Sequence, residues 1–355
     1  MRLRQASRSA KAATLAVLLI LPTVAAASSA CGGSTTGATL STPAVASAAV
    51  TTTAQPPSSS PQTLPVAVQE FHGMLPVITV SSLVKDRPYK STETVGRVVK
   101  MRHAVWTYRQ KSSDPRLNGT YDVVINTDQR QDDMSATLWG TSVMRSKGGT
   151  WVGRWTGGIA AAGDGHHLYW TMKGTGDYAG LVYHGNGWFV EAGEGFTPDI
   201  QIVYAGWIEM KDGSPVPPAP GPGSTPPDLT PVVSIATFDQ TAHEGPGPWI
   251  LDVAASDSRV SGLSEGTLME TGDARSDDSV DYSGEWTLTN EAGTWESRLL
   301  GVRGPGMVEH FQYVTGAGSG AYAGLISHEL SHFLGRRDYV AGDTFIQTGW
   351  IEEAQ

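Results

Sequence analysis

The sequence predicts an all-β protein with two tandem antiparallel β-barrel, or barrel-like sandwich, domains. Three observations lead to this prediction. Apolar and polar residues alternate at period two in many short stretches, the chain contains 42 glycines and 11 tryptophans, and its second half repeats its first. Alternation of this kind is typical of half-buried strands, and glycine-containing breaks are typical of the turns between them. No stretch shows the sustained spacing of an amphipathic helix.

The first 30 residues resemble an export signal. Four basic residues precede an apolar core that is too short to span a membrane as a helix. A run of small residues then ends at Cys31, the only cysteine of the chain, as in the lipobox of bacterial lipoproteins. The resemblance implies that Cys31 is lipidated and that the exported protein stays on the extracellular face of the membrane or cell envelope. The alternative is ordinary cleavage near Ala27 or Ala30, which leaves a free thiol.

The segment after the signal, residues 31–70, is expected to be a disordered linker, because Ser, Thr, Ala and Pro offer too little apolar surface to offset the entropy of ordering. Removal of residues 1–30 changes the formal net charge from −10 to −14, since it takes away four basic residues and no acidic one. A charge of this sign argues against nucleic acid as a partner. The expected partners are the membrane, through the N-terminal lipid, and a small molecule or a surface protein.

A Pro/Gly-rich linker at 212–230 separates two copies of one domain, predicted at 71–211 and 231–355. Each copy has the length of an ordinary domain. The copies share words in the same order at an offset of 143 or 144 residues: SDPRLNG and SDSRVSG, GTW twice, GTGDYAGL and GSGAYAGL, and GWIE twice.

Most of the shared words predict local structure. The Asp-x-Arg pairs, Asp114 with Arg116 and Asp257 with Arg259, are expected to tie a turn through side-chain hydrogen bonds. The tryptophans of the shared words are expected to fill a core or a barrel rim, and a platform for stacking sugars is the functional alternative. These tryptophans are Trp151, Trp207, Trp295 and Trp350.

The word G-x-G-x-Y-x-G-L, at 174–181 and 318–325, resembles the glycine-rich hairpin of the allene oxide cyclase and dirigent-like β-barrels. The likeness covers eight residues of each copy. It implies a closed eight-stranded barrel with an interior able to hold a small apolar ligand. The chain has no active-site motif of that family, so no cyclase activity is predicted.

The stretch HELSHFLGRRD, at 328–338, matches the zinc-binding helix of metallopeptidases. On a helix, His328 and His332 would share one face and bind one zinc ion, and Glu329 would polarise the bound water. Asp338 would be the third ligand. A zinc-dependent metallopeptidase is therefore an alternative function, with zinc as the alternative to having no cofactor.

The repeat argues against the zinc interpretation. His328 aligns with His184, which lies in YAGLVYHGNGWFV, a stretch that predicts a strand and a turn. The stretch ISHELSHFL also alternates at period two, and two histidines four residues apart on a strand lie roughly 13 Å from each other, too far to share a metal. No methionine follows Met307, so the Met-turn of the metzincins is absent. The sequence therefore favours a protein without a cofactor.

The same alignment indicates candidate ligand-pocket residues in each copy. If each glycine-rich hairpin is centred on Thr175 or Ser319, the two histidines of a copy lie directly opposite each other, with Cβ atoms about 5 Å apart. Such a pair could share a metal ion or a polar ligand group; the alternative is two ordinary half-buried residues on a barrel wall. The candidates are His166, Tyr169 and His184 in the first copy, and His310, Tyr313 and His328 in the second.

The sequence favours a non-catalytic protein that binds a small molecule or a surface partner, through its barrel interiors or its strand faces. The zinc peptidase is one alternative, and a surface spacer or interaction module without a ligand is another. The secondary structure of residues 326–335 separates the peptidase from the others, because the zinc motif needs a helix. An open or a filled barrel interior separates ligand binding from the spacer.

Overall fold

The chain folds into two closed antiparallel barrels of eight strands each, which confirms the predicted fold class. No helix in the described part of the chain is long and apolar enough to cross a membrane. Cys31, the predicted export signal, the predicted linker at 31–70 and Asp338 lie outside the described residues. The computed structural model describes residues 71–159, 166–189, 201–224, 228–239, 248–271, 279–304, 309–334 and 342–354.

Barrel 1 is a meander in which nearly every strand pairs with the strand that precedes it in the chain. Eight of its nine strands close the barrel through the pairing of β1 with both β9 and β3, and the short β2 is an extra strand that pairs only with the beginning of β3. Its strands are β1 (Met74–Arg87), β2 (Ser91–Val95), β3 (Val98–Ser112), β4 (Gly119–Arg130), β5 (Ala136–Ser146), β6 (Gly149–Ile159), β7 (His166–Gly176), β8 (Leu181–Phe189) and β9 (Gln201–Met210).

Barrel 2 repeats this arrangement, with β10 paired to β17 at the closure. Below, the counterpart of a residue is the residue at the same place in the other barrel. The strands of barrel 2 are β10 (Thr230–Phe238), β11 (Trp249–Ala255), β12 (Gly262–Thr271), β13 (Val280–Thr289), β14 (Gly293–Arg303), β15 (Glu309–Gly320), β16 (Leu325–Leu334) and β17 (Thr344–Glu353).

The Asp-x-Arg words form the predicted turns. In barrel 1, Asp114 caps a short 3₁₀ turn by accepting a hydrogen bond from the backbone N–H of Arg116, whose guanidinium binds the same carboxylate. Asp257 and Arg259 repeat the arrangement in barrel 2. The indole N–H of Trp151 donates to the Arg116 carbonyl, so the turn is held against the barrel core.

The shared tryptophans are core residues, as the filler interpretation predicts. Trp151 and Trp295 are 0% and 1% exposed, and each stacks on the tyrosine of its glycine-rich hairpin, with ring centroids 5.4 and 5.2 Å apart. Trp207 and Trp350 are also buried. None of these four side chains has an open face on which a sugar could stack.

The two barrels pack against each other through their outer faces, in an arrangement with approximate twofold symmetry. Tyr169 of barrel 1 stacks on His332 with ring centroids 4.1 Å apart, and the counterparts Trp188 and Tyr313 lie 6.0 Å apart. In an isologous interface, each contact between two positions occurs twice, with the two partners exchanged. The tandem chain is therefore an internal pseudo-dimer.

Candidate functional site

The described part of the zinc motif, His328–Leu334, lies on strand β16 and not on a helix. His328 and His332 both face outward but have different neighbours: His328 binds Tyr313, whereas His332 stacks on Tyr169 of barrel 1. Glu329, between them, faces into barrel 2. No group of three His, Cys, Asp or Glu residues in the described ranges is placed to hold a metal ion. The strand removes the helical geometry that the peptidase alternative requires.

The predicted cross-strand pairing of histidines is wrong. In the hairpin, His184 lies opposite Thr171, and His166 lies opposite Phe189. His166 is on the inward face of β7, which it shares with Trp170 of the core, whereas His184 is on the outward face of β8.

The same correction holds for barrel 2, where His310 faces inward and pairs with Phe333, while His328 pairs with Thr315. The physical reason is the position of the turn. Gly176 and Gly180 adopt positive φ (64° and 93°), and the chain reverses over 177–180, later than a hairpin centred on Thr175 would. The two histidines of each copy therefore do not lie opposite each other.

The structure instead joins His184 to Tyr169 and to a glutamate that the sequence did not single out. The Tyr169 hydroxyl lies 3.0 Å from Nδ1 of His184, and Nε2 of His184 lies 3.1 Å from a carboxylate oxygen of Glu209. The indole N–H of Trp207 donates to the other oxygen of Glu209 at 3.0 Å, and the imidazole stacks on that indole at 4.5 Å. Glu209 and Trp207 belong to the repeated GWIE word.

Barrel 2 repeats this network on β15, β16 and β17. The Tyr313 hydroxyl lies 2.8 Å from Nδ1 of His328, and Nε2 of His328 lies 3.0 Å from Glu352. His328 stacks on Trp350 with ring centroids 4.5 Å apart. Four of the six predicted pocket residues therefore lie in two equivalent networks on the outer walls, next to the contact between the barrels.

The protonation states of these networks favour a structural role. Burial raises the pKa of Tyr169 and of Tyr313. The hydrogen bond from His184 lowers the pKa of Glu209, and burial lowers the pKa of His328. At neutral pH, His328 is thus a neutral imidazole that donates a hydrogen bond from Nε2 to a carboxylate and accepts one at Nδ1 from the Tyr313 hydroxyl. A phenol with a raised pKa is a poor acid or nucleophile, so we interpret the networks as fixed ties of the outer wall.

The interior of barrel 1 is filled with aromatic side chains. Tyr183 is 1% exposed, and burial raises its pKa to about 12. Close packing of this kind is typical of a filled protein core. The other large residues of this core include Tyr108, Tyr121, Trp155, Trp170, Met172 and Tyr204, all buried.

Barrel 2 has smaller or more polar residues at the matching inward positions of β15, β16 and β17. One replacement goes the other way, because barrel 2 has Trp286 on the opposite wall where barrel 1 has Ser142. Around β16, however, the aromatic filling is lost. There, Val314 replaces Trp170, Gly316 replaces Met172, Ser327 replaces Tyr183 and Gln347 replaces Tyr204.

Polar side chains form a row across the inner wall of barrel 2, on neighbouring strands β10, β17, β16 and β15. The Ser331 hydroxyl donates to the side-chain oxygen of Gln312 at 3.1 Å, and the Ser234 hydroxyl lies 3.5 Å from that of Gln347. All four are buried. We call this row, together with Ser327 and Glu329, the polar lining of barrel 2.

Glu329 is the unusual member of the polar lining. Its side chain points inward, between Val314 and Gly349 of the neighbouring strands, and the residue is half-buried. Burial raises its pKa to about 7. In barrel 1 the position is Gly185, where a Cβ atom would lie 2.3 Å from the indole nitrogen of Trp170. The carboxyl fits only because barrel 2 has valine in place of that tryptophan.

The described fold defines a class, that of proteins with tandem closed eight-stranded antiparallel β-barrels. No family model, curated protein or solved structure matches this chain. The function therefore has to be argued from the side chains, and the barrels differ most around Glu329, where barrel 2 lacks the aromatic filling of barrel 1. A comparison of inward positions between the two copies would have found this difference from the sequence.

Proposed function

We propose that this chain is an exported, lipid-anchored protein that binds a small molecule, without catalysis, inside barrel 2. One observation carries the proposal: around Glu329, barrel 2 lacks the aromatic filling that barrel 1 has at the same positions. A barrel that serves only as a spacer is stabilised by a filled core. An inward carboxyl reduces stability, so its presence is better explained by a ligand than by folding.

The likeness of the glycine-rich hairpin to allene oxide cyclase and dirigent-like barrels supports the same proposal. That likeness implies an interior able to hold a small apolar ligand. Since barrel 1 is filled, we assign the binding role to barrel 2. Barrel 1 then acts as the partner that buries the outer face of the binding barrel.

The location is part of the proposal. Lipidation at Cys31 would hold the barrels at the outer surface of the membrane, at the end of the linker 31–70. Several acyl chains on one cysteine give stable anchoring. In cells fed an alkyne-labelled fatty acid, we expect the wild-type chain to carry the label and Cys31→Ala to lose it. Equal labelling of both would overturn this part of the proposal.

The binding proposal is tested by restoring the barrel 1 residue in barrel 2. Ser327→Tyr introduces the residue of its counterpart, Tyr183, and fills the space beside Glu329. The probe is p-cresol, which has the shape of a tyrosine side chain, and saturation-transfer NMR measures its binding to the soluble chain. We expect the wild type to bind p-cresol and Ser327→Tyr to bind it at least roughly tenfold more weakly, because the lost contacts amount to a buried ring.

Thr287→Tyr is the matched control, because it places the same side chain on the exposed outer face of β13. It is expected to leave p-cresol binding unchanged. Circular dichroism confirms that each variant folds. Wild-type protein that does not bind p-cresol, or a folded Ser327→Tyr variant that binds it as well as the wild type does, contradicts the proposal.

A further inference from the structure

We propose that the molecule bound inside barrel 2 is a small organic cation, such as an alkylammonium or arylammonium ion, with Glu329 as its counter-ion. This inference rests on the proposed function and adds the chemical class of the ligand. It follows from the surroundings of the Glu329 carboxyl.

The Glu329 carboxyl has no hydrogen-bond or ion-pair partner among the described residues. Its neighbours across the sheet are Val314 and Gly349, and its neighbours on the same face of β16 are Ser327 and Ser331. The Ser331 hydroxyl already donates to Gln312. Buried carboxylates in proteins are normally paired, so a group with no partner among the described residues indicates that a ligand supplies the partner.

No cationic side chain of the described interior can supply that partner. The other titratable groups facing this interior are Tyr282, Tyr322 and His310, with Arg303 and Glu270 at the rim. Arg303 is paired with Glu270. His310 lies opposite Phe333, which is four residues along β16 from Glu329, or roughly 13 Å. Among the described residues, no positively charged side chain therefore lies close enough to pair with Glu329.

An ammonium ion satisfies the chemistry of this position better than a neutral ligand does. One of its N–H groups donates to the carboxylate, and the others can donate to the serine hydroxyls above and below it. Charge-assisted hydrogen bonds are stronger than neutral ones, and more so in a poorly solvated interior. The raised pKa of Glu329 agrees with a carboxyl that lacks its counter-charge. A neutral ligand would leave the carboxyl either protonated or without a counter-charge.

The test compares benzylamine and benzyl alcohol, which have nearly the same shape and differ in the polar group, with toluene, which has no polar group. Binding to the soluble chain at pH 8 is measured by NMR titration. We expect benzylamine to bind roughly tenfold more tightly than benzyl alcohol, since one charged hydrogen bond is worth about that factor. In Glu329→Gln the preference for the amine should disappear while the affinity for benzyl alcohol stays within about twofold.

Glu296→Gln is the matched control, because it removes an acidic group from the exposed outer wall of barrel 2. It should keep the preference for benzylamine. Between pH 8 and pH 5 the benzylamine affinity of the wild type should fall as Glu329 takes up a proton, while the benzyl alcohol affinity should not.

The outcomes separate the inference from the proposed function. Equal binding of amine and alcohol by the wild type overturns the cation and leaves a binding barrel. A preference for the amine that persists in Glu329→Gln overturns the assignment of Glu329. If none of the three compounds binds, both the inference and the proposed function are overturned.

Discussion

Replacement of Arg116 by alanine is expected to lower the free energy of unfolding by about 3–5 kcal/mol, because it leaves a buried carboxylate without its partner. Asp114 and Arg116 are each 4% exposed, and the guanidinium makes two hydrogen bonds to the carboxylate, of 2.9 and 2.6 Å. A third guanidinium N–H donates to the carbonyl of Pro217. All of these contacts are lost in Arg116→Ala.

Barrel 2 provides the matched control for this prediction. Arg259 forms the same fork with Asp257, but the two side chains are 20% and 19% exposed, so water can solvate the carboxylate when the arginine is removed. Arg259→Ala is therefore expected to lower the free energy of unfolding by only about 1 kcal/mol. Chemical denaturation of both variants measures the difference. Equal losses would show that burial does not set the strength of this pair.

Glu329→Gln is expected to stabilise the chain by about 1–3 kcal/mol at pH 8 and to have little effect at pH 4. The pKa of Glu329 is raised by burial, from 4.5 to about 7, so the folded state holds its proton where the unfolded state has released it. Its contribution to stability is thus fully present below pH 4.5 and is lost as the pH rises to 7. The full shift corresponds to about 3 kcal/mol, and water reaching this half-buried group reduces it.

Denaturant unfolding of the wild type and Glu329→Gln, measured from pH 4 to pH 8, tests this prediction. Glutamine has the same shape and no charge, so the two curves should coincide at low pH and separate between pH 5 and pH 7. Glu296→Gln, on the outer wall, should follow the wild type throughout. A Glu329→Gln curve parallel to that of the wild type would mean that the carboxyl is ionised and solvated in the folded chain.

The fold could be predicted because the sequence of each strand separates its inward-facing residues from its outward-facing ones. Alternation at period two assigns every second residue to the barrel interior, and the repeat shows which words belong to equivalent turns. The position of a turn is harder to predict. Gly174, Gly176 and Gly180 all permit unusual backbone angles, and the chain uses the last two for positive φ, which shifts the strand register away from the predicted one.

The candidate residues were identified in part. The sequence pattern grouped Tyr169 with His184, and Tyr313 with His328, and each of these pairs is in contact in the structure. The carboxylate that each histidine binds lies on another strand. Glu209 meets His184 only through the register between β8 and β9. The words of a single strand do not define its register with a neighbouring strand. The network could therefore not be completed from the sequence.

The sequence by itself determined that this chain has two copies of one β domain, with turns tied by Asp-x-Arg pairs and tryptophans in the cores. The alternation at period two is a property of each strand by itself, and the repeat follows from the order of the residues along the chain. Only the tertiary structure decided which face of β16 lines the interior of barrel 2, and that Glu329 on that face has no partner among the described residues. That outcome depends on residues from neighbouring strands: the space that Trp170 fills in barrel 1 is left free by Val314 in barrel 2, and closure of the barrel surrounds the carboxyl with uncharged neighbours.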